Sequence, residues 1–151
     1  MTAGPPAMLC EDDVVLTVRD YLNAMGWTIV SYCLGQKHGD DVVAVRGGIR
    51  LLVEAKGAGS GTVTSRRYGQ LFNGGQVHDH VAKAVLRALR WVSEGTAHAV
   101  IALPDNALHR AEIALVRIAL DQLGVTRIWI GEDRSVKVEG PSLPAVREGT
   151  P

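Results

Sequence analysis

The chain has 151 residues, 46 % hydrophobic and 5 % aromatic, which suits one domain with a packed aliphatic core and excludes a disordered chain. Sixteen basic and sixteen acidic residues cancel, so bulk charge points to neither a nucleic acid nor a membrane, and any such partner must be argued from local charge. No apolar run approaches the ~20 residues that span a bilayer, residues 1–9 lack the order of a signal peptide, and Cys10 and Cys33, without metal-type spacing, read as reduced, mostly buried thiols of a cytoplasmic protein.

A single domain is expected over 1–151, with irregular tails at 1–10 and 140–151. Val14, Val15, Val18, Tyr21, Leu22 and Met25 follow helical spacing and Gly26 stops the pattern, which predicts a helix over 11–25. Trp27 to Cys33 is a β-rich run. Two β-branched segments then flank Gly47-Gly48, a strong two-residue hairpin signal that predicts strands over 40–46 and 50–56. A long Gly/Ser/Thr-rich loop, 57–75, follows. A second helix is predicted over 76–94, with a buried stripe of Val77, Val81, Ala84, Val85, Ala88, Leu89 and Val92. The apolar run 97–103 reads as a central strand covered on both faces. A third helix is predicted over 106–123, then a strand over 125–130 and a short edge strand over 135–139. The order α-β-β-β-α-β-α-β implies an α/β fold with a mixed sheet and helices on its faces.

The hairpin carries the chemistry. Its register sets Val45 opposite Arg50, Val43 opposite Leu52 and Asp41 opposite Glu54, and opposed side chains share a face about 5 Å apart at Cβ. Lys56 follows two residues later on that face. Like charges held directly opposite destabilise a sheet, so a divalent cation between Asp41 and Glu54 is the natural complement. Mg²⁺ takes one or two carboxylates and keeps several waters; the Ala55 carbonyl is a candidate backbone ligand, and Mn²⁺ a substitute ion. Lys56 would position a water or stabilise developing charge. Asp40 competes with Asp41, but the register points it to the other face.

Helix, three-stranded meander, an Asp before β-branched residues and Glu-Ala-Lys ending the next strand together resemble the PD-(D/E)XK nuclease superfamily, the restriction-endonuclease-like fold. Gly39-Asp40-Asp41-Val42-Val43 and Val53-Glu54-Ala55-Lys56-Gly57 are similar to its two central motifs, and the resemblance covers about residues 11–103. The family's proline before the Asp is replaced here by Gly39-Asp40. The resemblance implies an α-β-β-β-α-β core plus an extra helix and strand, and Mg²⁺-dependent cleavage of DNA with Asp41 and Glu54 as metal ligands and Lys56 as the catalytic lysine. By placement Glu11 is similar to the helix-one acid that completes the family's metal site; equally, with Asp12 and Asp13, it simply suits a helix N-terminus. Gln76 lies where branches of the family place a Gln beside the site, yet its helical face is the one shared with His80, Lys83 and Arg87.

For nucleic acid, Arg66, Arg67 and Tyr68 in the long loop suit phosphate contact and base stacking. Lys83 and Arg87 on the second helix suit a phosphate backbone, and Gln76 on the same face is a further candidate contact to DNA. His78 and His80, two apart, cannot face each other on a helix, and zinc is not expected. Two rivals to an endonuclease remain: a non-catalytic nucleic-acid-binding module of the same fold within a larger complex, and a structural domain in which Lys56 merely pairs with Glu54. A homodimer is plausible, because so short a chain reaches both strands of a duplex only by pairing, and the third helix carries apolar residues (Leu108, Leu115 and Ile118) for a second buried face.

Overall fold

The computed structural model describes residues 8–35, 37–61 and 69–145. In chain order the elements are α1 (Glu11–Ala24), β1 (Thr28–Tyr32), β2 (Val42–Arg46), β3 (Ile49–Ala55), α2 (Gly74–Glu94), β4 (His98–Pro104), α3 (Ala107–Ala114), α4 (Arg117–Gln122), β5 (Thr126–Ile130) and β6 (Val136–Glu139). The hairpin forms in the expected register, with Arg46 opposite Ile49, Val45 opposite Arg50 and Val43 opposite Leu52. Gly47 and Gly48 turn it with φ of 57° and 79°, values that an L side chain rarely adopts.

The six strands lie in sequence order, β1-β2-β3-β4-β5-β6. The β1-β2-β3 meander is antiparallel, β3, β4 and β5 are parallel, and β6 returns antiparallel along β5. The parallel connections run through α2 and through α3 and α4, as parallel strands require a crossover. Alternation along the strands sends side chains into two cores. Ala44, Leu51, Val53, Val100 and Ile128 pack with Val14, Val18 and Leu22 of α1. Val43, Leu52, Ile101 and Trp129 pack with Val77, Val81, Ala84, Ala88 and Trp91 of α2. The buried stripe of α2 is therefore narrower than its apolar pattern: Val85, Leu89 and Val92 are half-buried, and Trp91 takes the seat that closes the i, i+4, i+7 series.

The expected third helix is two helices. Leu115 and Val116 interrupt it with i→i−3 bonds to Glu112 and Ile113, and Val116 leaves helical geometry at φ −124°. Leu120 is buried, whereas Leu115 and Ile118 remain exposed. Cys10 and Cys33 are free, as expected, but half-buried rather than mostly buried.

The end of β3 is pressed against the start of α1. The Ala58 N–H donates to the Leu9 carbonyl at 2.7 Å, and a Cβ on Gly57 would collide with the backbone of Cys10 and Glu11. Glycine at 57 is what lets Glu11 approach Lys56. Gly57→Ala should therefore cost about 2 kcal/mol, a Tm drop of roughly 4–8 °C in thermal melts. Gly74→Ala, with open space around it at the start of α2, should leave stability unchanged or slightly raised.

Candidate functional site

The β2–β3 ladder ends at Val42 and Val53, and the next residues outward are Asp41 and Glu54. Asp41 does not extend the ladder through its backbone. Its Oδ2 instead accepts the Ala55 N–H at 2.7 Å, so the carboxylate caps the hairpin where β2 turns away. Glu54 follows Leu52 on the α2 face and is nearly buried, its side chain 11 % exposed. Lys56 Nζ reaches Glu54 Oε1 at 3.2 Å, and Arg87 Nε from α2 reaches Oε2 at 3.3 Å.

Asp40 departs from expectation. Arg87 also contacts its Oδ1 at 3.4 Å, so Asp40 lies on the α2 side with Glu54, not on the opposite face. Alternation fails there because residues 39–41 are bends rather than strand, with Gly39 at φ 139°. One guanidinium thus bridges the Asp40 and Glu54 carboxylates. The sequence pattern put Arg87 on the right helix but gave no sign that it turns inward.

Asp41 is the electrostatically strained member. Burial, then the Glu54 charge, raise its carboxyl from 3.8 to about 7, against the opposing help of the Ala55 N–H and Lys56. Glu11, the first residue of α1, is also raised, chiefly by desolvation and then by Glu54, while Lys56 opposes the shift. Its surface remains open to water, so this effect is the weaker of the two. Glu11, Lys56, Gly57, Ser60 and His80 line one cleft of about 350 Å³ beside the carboxylates. The His80 imidazole is pushed down by burial and by Lys56 and Lys83, which keeps it neutral.

The remaining expected residues fall in different places. Gln76 is occupied in a capping box: its Oε1 accepts the Asn73 N–H at 2.9 Å, and Asn73 Oδ1 accepts the Gln76 N–H at 3.0 Å. That Asn-x-x-Gln spacing was legible in the sequence and explains Gln76 without a ligand. Lys83 is exposed on α2. Arg66, Arg67 and Tyr68 lie outside the described residues. His78 joins α2 to α3 through Glu112 at 2.8 Å.

Asp41 and Glu54 carry the oxygen donors that a cation retaining most of its water takes, with both oxygens of Glu54 engaged by Lys56 and Arg87. Among the described residues no three His, Cys, Asp or Glu side chains are placed to hold a metal ion together, and no helix is long and apolar enough to cross a membrane. The protein is a mixed α/β domain whose six-stranded sheet is flanked by helices and carries an Asp/Glu/Lys cluster near its β2–β3 end. No family model, curated protein or solved structure matches the chain.

Asp41 makes stability depend on pH with a definite sign. Between about pH 4 and 7 the folded chain retains a proton that the unfolded chain has released, so its contribution falls as pH rises through that window. A displacement from 3.8 to about 7 bounds the loss at about 4 kcal/mol, and solvent access at a half-buried group reduces it to roughly 2. Asp41→Asn should flatten that part of the stability profile, as read by urea unfolding at several pH values; parallel profiles for the two proteins would refute the assignment.

Proposed function

We propose that this chain is a metal-dependent DNA endonuclease of the restriction-endonuclease-like, PD-(D/E)XK type. The observation that supports it best is the gathering of Asp41, Glu54 and Lys56 near one end of the sheet, with Asp41 held in a state that a nearby cation would relieve. Asp41 and Glu54 would hold Mg²⁺ or Mn²⁺, with Glu11 across the cleft and the Ala55 carbonyl as further candidates. When bound, the ion supplies charge for the phosphoryl oxygens and a water of lowered pKa. Lys56 Nζ, already within 3.2 Å of Glu54, is placed to donate to the attacking water or to the developing oxyanion. The cleft beside it would take the phosphate backbone, with Lys83 of α2 as a further contact.

Arg87, read from sequence as a backbone contact, pairs with Asp40 and Glu54 in the free chain. Together with Lys56 it occupies both oxygens of Glu54, so it competes with any ion for that carboxylate. Duplex cleavage by so small a domain also calls for a second copy, and the exposed Leu115, Ile118 and Leu123 offer an apolar surface for it. A homodimer by light scattering is the expected outcome.

The same contacts favour one alternative: a non-catalytic domain, nucleic-acid-binding or purely structural, in which Lys56 and Arg87 permanently neutralise Glu54. Three measurements separate the readings. With Mg²⁺ and plasmid DNA, Lys56→Ala should lower the cleavage rate at least a hundredfold; equal rates would reject the mechanism. Calorimetry should show Mn²⁺ binding to the wild type. Arg87→Ala should then bind Mn²⁺ about two- to fivefold more tightly, the worth of a partly exposed ion pair. No Mn²⁺ binding by either protein would establish the closed ion-pair reading.

A further inference from the structure

One ionisable side chain in the cleft of about 350 Å³ has no part in the Asp/Glu/Lys cluster. It is His80 of α2, which lines the cleft with Cys10, Glu11, Asp12, Lys56 and Ser60. The residue is only partly buried, so its ring is open to what fills the cleft. Phe72 packs against that ring edge-on, 4.4 Å between centroids, and orients it. Lys56 links the cleft to the carboxylates, because it lines the same space and its Nζ stands 3.2 Å from Glu54 Oε1.

Water that attacks a phosphodiester must lose a proton, and a positioned side chain is the usual acceptor. The other groups at this end of the sheet are poorly placed for that task. Lys56 is a cation without a lone pair. Both oxygens of Glu54 are engaged by Lys56 and Arg87, and Asp41 Oδ2 accepts the Ala55 N–H. The Cys10 thiol is pushed up by burial and donates to Asp13 at 3.1 Å. Asp12 Oδ1 accepts the Gly35 N–H at 2.8 Å, and Glu11, as a candidate ligand, would turn its oxygens to the cation. His80 differs from all of these. Burial, then Lys56 and Lys83, push its imidazole down against the opposing charge of Asp79, and the neutral His109 of α3 is its remaining ionisable neighbour. A neutral imidazole keeps one nitrogen lone pair, and among the described residues no hydrogen bond acts on this ring.

We propose that His80 is the general base of the cleavage reaction, an inference that rests on the nuclease reading of the same site. As the water oxygen bonds to phosphorus, its proton passes to the open imidazole nitrogen. The bond from phosphorus to the leaving oxygen breaks, and that oxygen takes a proton from solvent. The imidazolium then returns its proton to solvent, which restores the neutral ring. Lys56 and Lys83 disfavour a second positive charge beside them and so favour that return.

Chemical rescue tests it. With Mg²⁺ and plasmid DNA, His80→Ala should cleave at least about a hundredfold more slowly than the wild type. Added imidazole should restore part of that rate, whereas pyrazole, of the same shape but almost without basicity, should not. Calorimetry should find the same Mn²⁺ affinity in both proteins, because His80 is not a ligand. In the metal-free wild type, side-chain ¹⁵N NMR should find the His80 ring neutral at pH 7, a measurement that does not depend on the variant folding. Three results would each overturn this role and leave the nuclease reading standing: equal cleavage rates, a slow folded variant that imidazole does not rescue, or a charged ring at pH 7. No cleavage by the wild type would remove both.

Discussion

Repulsion between carboxylates at the end of one hairpin governs the candidate site. Asp41 and Glu54 lie just beyond the last paired residues of the hairpin, Val42 and Val53, and burial together with the Glu54 charge pushes the Asp41 carboxyl up to about 7. The surrounding charge is arranged as a response. Lys56 takes one oxygen of Glu54, and Arg87 takes the other while reaching Asp40. The Ala55 N–H serves the remaining acid. Glu54 is in direct contact with two cations, whereas Asp41 has a neutral hydrogen bond and only the more distant charge of Lys56 against its burial.

The sheet makes this arrangement possible. Both faces of β3 are covered, so Glu54 sits in a nearly dry layer beneath α2, where charges act strongly. Parallel β3, β4 and β5 end at a common rim, and the segments after them build two unlike cavities. The one between α1 and the end of β3 is lined by Glu11, Asp12, Lys56 and His80; the other, before α3, is more apolar, with Asp105, Asn106, His109 and Glu132 among its lining. Gly57 and Phe72 stand at the junction. Gly57 permits the close approach of α1, and Phe72 borders both cavities, its ring edge-on to His80 at 4.4 Å.

Much of the fold was legible because it rests on local periodicity. The Gly47-Gly48 turn determined the register of β2 and β3, and Val77, Val81, Ala84 and Ala88 marked the buried face of α2. Alternation was less trustworthy at the edges of elements. Asp40 was assigned to the wrong side because the extended pattern was carried through a bend. The third helix was drawn through Leu115 and Val116 because neither residue type breaks a helix, yet the chain turns there. Gln76 shows the reverse: its capping spacing with Asn73 is present in the sequence as a local Asn-x-x-Gln pattern.

By itself the sequence determined which residues could do chemistry. Hairpin spacing of Asp41, Glu54 and Lys56, and the helical or alternating apolar patterns around them, are short-range properties that backbone geometry turns directly into shared faces. Only the tertiary structure decided their state. Arg87 lies more than thirty residues beyond Glu54 in sequence, Glu11 more than forty before it, and the burial of His109 comes from the packing of α3. Burial and charge pairing depend on what folds against a residue from afar, and no local pattern carries that information.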